Sequence, residues 1–185
     1  MKQIISMILA VCLILNVCVL TVSATEYEVP EDTNFYCCMD YRAITDTSSD
    51  QWKLQEDCFT DICGFRCYID AKGECYYTVG TTFYYSENIG DTFKVTFENG
   101  NSIKVMVGDF KNPIHTVNKY GTQHYNFIDK KYCTNIIEFI VDMDNLPDKV
   151  KDWGTLTAID FFDSEVQSIE FLGNKWNKEE TVSVF

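Results

Sequence analysis

Four polar residues between positions 109 and 142 have types and placements that could support acid–base chemistry. Asp109 follows Gly108 at the end of a strand-like run, and Glu138 lies inside the apolar run NIIEFIVD at residues 135–142. A carboxylate among isoleucine and phenylalanine side chains costs several kcal/mol if it is buried unpaired. Glu138 is therefore expected on a solvated face or lining a polar cleft. Asp142, on the same strand face as Glu138, and His115, in a long connection, complete the set.

Each candidate also has a structural interpretation, which the sequence leaves open. Aspartate after glycine at a strand end is commonly a turn or cap residue, and Glu138 could be an exposed cross-strand partner for a lysine. Asp142 could start the turn after its strand, and His115 could be a hydrogen-bonded loop residue. Asp109 and Glu138 would form an acid–base pair if their strands are adjacent, because burial and a neighbouring carboxylate raise a carboxyl pKa toward neutrality.

The run at residues 90–110 predicts the hairpin that carries Asp109. Apolar and polar residues alternate on both sides of Asn99-Gly100, and period-two alternation across an Asn-Gly pair is the strongest short-range hairpin signal. The second strand of this hairpin runs directly into Gly108-Asp109. The apolar positions of the two strands are Phe93, Val95, Phe97, Ile103, Val105 and Val107.

The rest of the chain predicts further short strands and one helix. Aromatic, β-favouring runs occupy residues 74–85, and an alternating run occupies residues 165–172. Asn145, Pro147 and Gly154 are placed to begin and end a short helix over residues 145–154. The connection at residues 111–128 holds both histidines, and a connection of this length is usually functional or irregular. We predict a mainly β protein, a small closed β structure with one short helix.

The first 24 residues predict export. Lys2 is followed by an apolar run from Ile4 to Leu20, and the small residues VSA at positions 22–24 form a cleavage site, which together indicate a signal-peptide helix. An uncleaved membrane anchor is the alternative, since the run is near the lower limit of about 17 to 25 residues for spanning a bilayer. With cleavage, only the precursor associates with the membrane, and the mature protein is secreted or bound to the cell wall.

The charge balance excludes nucleic acid as a partner. The chain has 15 Lys and Arg residues against 28 Asp and Glu residues, and loss of Lys2 with the signal peptide changes the net charge from −13 to 14 − 28 = −14. Binding to phosphate backbones needs clustered lysine and arginine. The acidic composition instead suits solubility outside the cell.

Seven cysteines follow the predicted cleavage site, and in an exported protein they are expected to form disulfides, each contributing about 2–5 kcal/mol. The odd number leaves at least one thiol free or intermolecular. The cluster of Cys58, Cys63, Cys67 and Cys75 could instead hold zinc, but its spacings fit no pair of CxxC knuckles. We predict disulfides within this cluster and no metal site. The other three cysteines are Cys37, Cys38 and Cys133.

The order of these pieces resembles a double-psi β-barrel. Five segments are similar to the three-aspartate domain of Gram-positive wall proteins and to the rare lipoprotein A group. They are an aromatic run (YYTVGTTFYY), the residues IGDTF at the start of a strand, an Asn-Gly hairpin, a strand ending in Gly-Asp and the later NIIEFIVD strand. The likeness covers residues 39–172 and includes uncharacterised exported proteins of clostridia-like bacteria. We therefore predict a signal peptide at 1–24, an extended N-terminal segment at 25–57, a double-psi β-barrel-like domain at 58–172 and a tail at 173–185.

The resemblance implies an activity on peptidoglycan. Active relatives cleave its glycan strands as lytic transglycosylases, with an acid that protonates the glycosidic oxygen, a base that lets the neighbouring hydroxymethyl group attack, and no cofactor. Asp109 and Glu138 match the family's strand-end aspartate and its second acidic residue. Asp142 could be a third member of the site, and His115 could replace a family histidine. The expectation is a peptidoglycan lytic transglycosylase or glycan hydrolase.

Three departures from the family favour a second interpretation. The three-aspartate group has aspartate in place of Glu138 and a DTGG-type loop in place of DFKNP at residues 109–113. The rare lipoprotein A group has a histidine ahead of the hairpin, which residues 81–86 lack. The alternative is therefore a secreted, non-catalytic module that binds wall glycan or a protein partner.

Overall fold

The computed structural model describes residues 25–31, 33, 37–116, 118–126 and 130–176. The predicted signal peptide at 1–24 and residues 177–185 of the predicted tail lie outside them. The described part is mainly β, as predicted. Its strands are β1 Glu26–Tyr27, β2 Cys38–Asp40, β3 Phe59–Thr60, β4 Arg66–Ile69, β5 Cys75–Thr81, β6 Asp91–Phe97, β7 Ser102–Phe110, β8 Thr122–Asn126, β9 Lys131–Asn135, β10 Glu138–Val141 and β11 Val166–Asn174.

Two α-helices and five 3-10 helices occupy the described connections. The α-helices are α1 Asp50–Glu56 and α2 Asp148–Trp153, and the 3-10 helices are Tyr41–Ala43, Pro113–His115, Met143–Asn145, Leu156–Ala158 and Asp160–Phe162. Within the described residues, no helix is long and apolar enough to cross a membrane.

Nine strands form one sheet, while β8 and β9 pair separately. Neighbours in the large sheet follow the order β1-β11-β6-β7-β5-β10-β2, and β4 joins β5 on a side branch that ends at β3. The described pairings therefore form an open path, which does not close the predicted barrel. The physical reason is that the end strands β1 and β2 are only two and three residues long, and each is paired along one side, with β11 and β10 respectively.

The predicted hairpin at residues 90–110 is confirmed. β6 and β7 pair antiparallel from Thr92↔Met106 to Thr96↔Ser102, and the turn between them contains Asn99-Gly100. Gly100 has φ +85°, a left-handed conformation that glycine adopts without a Cβ clash. The alternating apolar residues that carried the prediction are all buried: Phe93, Val95, Phe97, Ile103, Val105 and Val107.

Strand β5 lies between the two strands that carry the candidate carboxylates. It runs parallel to β7, through pairs from Tyr77↔Val105 to Thr81↔Phe110, and antiparallel to β10, through Glu138↔Gly80 and Phe139↔Val79. Parallel neighbours need a long crossover connection, and β6 and its flanking turns supply it. This arrangement brings Asp109 and Glu138, which are almost thirty positions apart in sequence, to one end of β5.

The helix prediction was correct at one place and incomplete at another. The helix predicted over residues 145–154 is present as α2, and Gly154 ends it in a left-handed conformation with φ 66°. Helix α1 lies in the segment 25–57 that was predicted to be extended, so the prediction of one helix was wrong. Its N-cap is Ser49, whose side chain accepts a hydrogen bond from Trp52 N at 3.1 Å. The serine- and aspartate-rich stretch at 46–50 is thus a capping turn.

Aromatic side chains fill the core beside β5. Phe65 packs edge-to-face on Tyr77 and Phe139, with ring centroids 5.4 and 5.2 Å apart. Phe162 packs against Phe139 at 5.2 Å. Each such pair contributes about 0.5–1.5 kcal/mol beyond the burial of its area. This packing fixes β5 and β10 in place and so sets the position of the residues at their ends.

Candidate functional site

Asp109 and Glu138 lie on opposite sides of one glycine. Gly80 in β5 pairs with Asp109 in β7 and with Glu138 in β10. Directly paired residues project to the same face of a sheet, so the two carboxyl groups share one face with a residue that has no side chain between them. A Cβ on Gly80 would lie 3.9 Å from Asp109 Cβ and 3.8 Å from Glu138 O. The structure therefore brings together two of the four predicted site residues.

A bulge in β7 turns Asp109 toward this face. Val79 pairs with Val107, but the next residue, Gly80, pairs with Asp109, so Gly108 is an extra residue in β7. A bulge changes the side to which the following residue points and is common beside active sites. A Cβ on Gly108 would lie 2.9 Å from Ile140 Cδ1, which is too close for a normal contact. A side chain at position 108 would therefore require the end of Ile140 to shift where the bulge packs against β10.

The carboxyl group of Asp109 has a raised pKa. Burial is the main cause, and the nearby charge of Glu138 raises the pKa further. The backbone N–H of Phe110, the side chain of Gln51 and the charge of Lys111 act in the opposite direction. The net effect is that the protonated form of Asp109 is more favoured than the protonated form of an exposed aspartate. A carboxyl group in this environment is suited to donate a proton.

The carboxylate of Glu138 is paired with a buried lysine. Lys111 Nζ lies 3.1 Å from Glu138 Oε2, and the side chains are 2% and 28% exposed, respectively. The backbone N–H of Lys111 donates to Thr81 O at 2.8 Å, which holds the residue beside the end of β5. A buried ammonium is costly without a counter-ion. Glu138 therefore has an electrostatic role at this site in addition to its proximity to Asp109.

Helix α1 covers the face on which Asp109 lies. The side chain of Gln51 hydrogen-bonds the Asp109 carboxyl group, and Gln55 follows one turn later. Arg66 of β4 donates from Nη2 to the Gln55 carbonyl oxygen and from Nε to Gln55 Oε1 at 3.3 Å, which fixes the helix to the sheet. Gln55 is 3% exposed, and its Nε2 has no hydrogen-bond partner among the described residues. A Cβ on Gly108 would approach that nitrogen to 3.1 Å.

Sequence reasoning missed Lys111 and Gln51. Lys111 is two residues beyond Asp109, so the pattern D-x-K at the end of a strand was available as a signal. Gln51 and Gln55 are four residues apart, and residues at this spacing share one helix face, but the helix itself was not predicted. Because the helix was not predicted, the spacing of the two glutamines did not indicate that they lie on one face.

A cavity of about 270 Å³ opens beside Glu138. Cys38 Sγ lies 4.0 Å from Met143 Sδ on its wall. Burial raises the pKa of Cys37 to about 12 and that of Cys38 to about 11, and the charge of Glu138 adds to both shifts. The thiolate is the nucleophilic form, so these thiols are poor nucleophiles at neutral pH. The lining residues are Cys37, Cys38, Glu138, Met143, Leu146, Val150, Lys151 and Gly154.

Asp142 lies in a different cluster of charges. Its side chain caps the 3-10 helix Met143–Asn145 by accepting from Asp144 N at 3.2 Å, and it also accepts from Asn145 Nδ2 at 2.8 Å. Arg42 Nη2 lies 3.3 Å from its Oδ1. The structure thus places Asp142 at the start of a turn, which was the structural interpretation left open by the sequence. It is held by Arg42 rather than by Lys111.

His115 lies on an exposed turn after β7. It is the last residue of the 3-10 helix Pro113–His115, which Asn112 caps by accepting from Ile114 N at 3.1 Å. Among the described contacts, none joins its imidazole to Asp109 or Glu138. The loop DFKNP therefore brings Lys111, not His115, to the carboxylate pair.

A stacked aromatic pair includes Phe110, the half-buried residue that follows Asp109. Phe83 is 51% exposed and stacks on Phe110, with ring centroids 4.6 Å apart and planes inclined by 18°. Phe110 is the last residue of β7 and pairs with Thr81 at the end of β5. The two rings form a flat apolar surface at the end of β7, of the kind on which a sugar ring can stack.

Most of the cysteines that follow the predicted signal peptide are free thiols. Six of them, Cys37, Cys38, Cys58, Cys63, Cys67 and Cys75, have no disulfide bond, so the disulfides expected from export stay a prediction. Among the described residues, no group of three or more His, Cys, Asp or Glu side chains is arranged to hold a metal ion.

Comparisons with protein-family models, curated proteins and solved structures find no match to this chain.

Proposed function

We propose that this protein is an exported enzyme that cleaves cell-wall glycan, with Asp109 and Glu138 as its acid–base pair. The observation that supports the proposal is the pairing of both residues with Gly80, together with the raised pKa of Asp109. Burial and a neighbouring carboxylate are the two conditions under which one carboxyl group can both donate and accept a proton near neutral pH. The substrate class follows from the resemblance to double-psi β-barrel wall proteins.

In the proposed reaction Asp109 donates its proton to the glycosidic oxygen as the bond from that oxygen to the anomeric carbon breaks. The carboxylate that remains then accepts the proton of the neighbouring hydroxymethyl group, whose oxygen bonds to the anomeric carbon. The products are an anhydro sugar and a new chain end, and Asp109 regains its proton. Glu138 contributes to the raised pKa of Asp109. These steps require no cofactor.

The stacked rings of Phe83 and Phe110 would bind a sugar of the glycan chain away from the cleaved bond. Aromatic side chains supply apolar area with little loss of conformational freedom. Because Phe110 directly follows Asp109 in β7, its ring projects to the opposite face of the sheet, so a sugar on these rings would not lie beside the carboxyl group. Phe83→Ala should therefore weaken substrate binding more than it reduces the rate of a bound substrate.

The test is incubation of residues 25–185 with purified peptidoglycan, followed by mass spectrometry of the released products. Wild type should release anhydro-muropeptides, and Asp109→Asn should reduce the rate by at least about 100-fold, since acid–base catalysis contributes roughly 10²–10⁴-fold. Glu98→Gln is the matched control, because Glu98 is an exposed carboxylate in the β6–β7 turn. The enzymatic proposal fails if wild type releases no more anhydro product than Asp109→Asn, provided that both are folded.

A specific observation favours the second candidate, a non-catalytic module that binds wall glycan. Gln51 covers Asp109, Lys111 neutralises Glu138, and the adjacent cavity is lined mostly by apolar and sulfur-containing side chains. The two functions separate in a sedimentation assay with insoluble peptidoglycan. Retention that depends on Phe83 but yields no product supports the binding module, whereas turnover supports the enzyme.

A further inference from the structure

The ammonium group of Lys119 lies against two tyrosine rings that meet at nearly a right angle. Its Nζ is 4.5 Å from the ring centroid of Tyr84 and 4.6 Å from that of Tyr120. The two ring centroids are 5.1 Å apart, and their planes are inclined by 82°. Glu28 Oε2 is 3.4 Å from the same nitrogen. We call Tyr84, Tyr120 and Glu28 the tyrosine cage, because aromatic rings around one cation are the arrangement that binds ammonium groups.

The rings of the tyrosine cage are held in place by the rest of the fold. Tyr84 packs edge-to-face on the buried ring of Tyr85, with ring centroids 5.0 Å apart. The buried residue Thr82 donates from Oγ1 to the carbonyl oxygen of the residue before Tyr120 at 2.8 Å. A Cβ on Gly121 would clash with a carbonyl oxygen of β9, so this backbone packs directly on that strand. The two rings are therefore preorganised, and a ligand binds between them with little rearrangement of the protein.

The lysine that occupies the tyrosine cage has a more exposed setting than the residues that support the rings. Its side chain is 54% exposed, and that of its ion-pair partner Glu28 is 62% exposed. Ion pairs between exposed side chains contribute little to stability, and a lysine ammonium is strongly hydrated in water. A quaternary ammonium carries the same charge without N–H donors, and aromatic cages are the characteristic means of binding it. Such a group is suited to displace the side chain of Lys119.

We infer that the tyrosine cage is a binding site for a small molecule with a trimethylammonium group, which takes the place of the Lys119 ammonium. The trimethylammonium group contacts the rings of Tyr84 and Tyr120, and the Glu28 carboxylate balances its charge. Lys119 acts as a tethered competitor at high effective concentration, which lowers the affinity for the free ligand. The tyrosine cage shares no residue with the Asp109–Glu138 site, and its binding does not depend on any action on glycan.

The experiment titrates residues 25–185 with choline and follows the signals of labelled tyrosine rings by NMR. Wild type should bind choline saturably, and Lys119→Ala should bind it about 5-fold more tightly, because the competing cation is removed. The control ligand is the uncharged analogue of choline in which a carbon atom replaces the nitrogen, and it should produce no saturable shift.

Three outcomes of this titration overturn the proposal. If wild type shows no saturable shift with choline, the tyrosine cage is closed by its own lysine. If wild type and Lys119→Ala bind choline equally, the ligand does not take the place of the Lys119 ammonium. If the uncharged analogue binds as tightly as choline, the rings bind apolar groups in general and do not select a cation.

Three further variants separate the tyrosine cage from general effects of the surface. Tyr120→Leu removes one ring and should weaken choline binding by at least about 5-fold, whereas Tyr120→Phe keeps the ring and should retain binding. Lys149→Ala is the matched control, because Lys149 Nζ lies 4.7 Å from the centroid of a single ring, that of Trp153. It should leave the affinity for choline unchanged. The proposal fails if Tyr120→Leu, folded by circular dichroism, binds choline like wild type, or if Lys149→Ala tightens binding as much as Lys119→Ala does.

Discussion

Two clusters of acidic side chains in this protein each surround one cation, and they differ in burial. Arg42 binds Asp40 at 2.7 Å, Asp142 at 3.3 Å and Asp144 at 2.6 Å, with a side chain that is 47% exposed. Lys111, which binds Glu138 near Asp109, is 2% exposed. The pKa of Asp40 is lowered, mainly by its hydrogen bond with Arg42, whereas the pKa of Asp109 is raised, mainly by burial.

The comparison shows that a group of acidic residues is not by itself a reactive site. In the Arg42 cluster Asp40 is stabilised in its charged form, and the ion pairs of Arg42 join the 3-10 helices Tyr41–Ala43 and Met143–Asn145 at the surface. Around Gly80 one carboxyl group is shifted toward its acid form beside another that is ion-paired. A carboxyl group whose pKa is raised by burial beside a second charged group is typical of acid–base sites. The difference explains why Asp109, rather than Asp142, is the candidate acid.

The largest expected effect on the free energy of unfolding comes from breaking the buried ion pair of Lys111 and Glu138. Glu138→Gln would leave the Lys111 ammonium without this counter-ion, and removing one partner of a buried pair costs about 3–5 kcal/mol. Because Glu138 is 28% exposed, we expect about 3 kcal/mol in the free energy of unfolding, measured in urea. Asp144→Asn in the exposed cluster is the matched control and should change stability by less than about 1 kcal/mol. The comparison fails if the two variants lose equal stability.

The second prediction compares the two glycines of the site. Gly108→Ala places a Cβ 2.9 Å from Ile140 Cδ1 and should destabilise the fold by about 1–3 kcal/mol through overpacking. Gly80→Ala meets only contacts of 3.8 Å or more and should change the free energy of unfolding by less than about 1 kcal/mol. The added methyl group lies between Asp109 and Glu138, so it should nevertheless reduce the proposed activity. Equal destabilisation in chemical unfolding would show that the bulge is not packed as described.

The third prediction concerns the pH dependence of stability. The raised pKa of Asp109 means that the folded state binds more protons, so its contribution to stability is complete below the usual aspartate pKa of 3.8 and is lost as pH rises through the folded pKa. The lowered pKa of Asp40 acts oppositely, because its contribution is present above 3.8 and is lost as pH falls through the folded pKa.

Urea unfolding across this range separates the two residues. Relative to wild type, Asp109→Asn should gain stability as pH rises, and Asp40→Asn should lose stability as pH rises. The same sign of slope for both variants would contradict the assigned environments.

The smallest expected effect is on the pKa of Asp109, and it tests the hydrogen bond from Gln51. Gln51→Ala removes a hydrogen bond that lowers the pKa of Asp109, so that pKa should rise further in the variant. Carbon-detected NMR titration of the Asp109 carboxyl group measures the change directly. Lys53→Ala, on the exposed side of the same helix, is the control for lost helix stability. A lower Asp109 pKa in Gln51→Ala would show that the glutamine does not donate to the carboxylate.

Several local elements could be predicted from the sequence because their signals lie within a few residues of one another. The β6–β7 hairpin follows from period-two alternation around Asn99-Gly100, and α2 follows from Pro147 and Gly154 at its two ends. Helix α1 was missed because its signal is a short polar capping turn at Ser49 followed by a single fully buried side chain, Leu54. An amphipathic pattern of one turn is too short to be distinguished from a polar loop.

The sequence by itself thus determined the strand positions of Asp109 and Glu138 and the type of chemistry that two such carboxyl groups could perform. Only the tertiary structure decided that both flank Gly80, that Lys111 pairs with Glu138 and that Asp142 binds Arg42 instead. The physical reason is that alternation and turn residues specify a strand, whereas its neighbours are chosen by core packing between distant segments. Burial of Asp109 and its raised pKa arise from that packing, so no local pattern could have shown them.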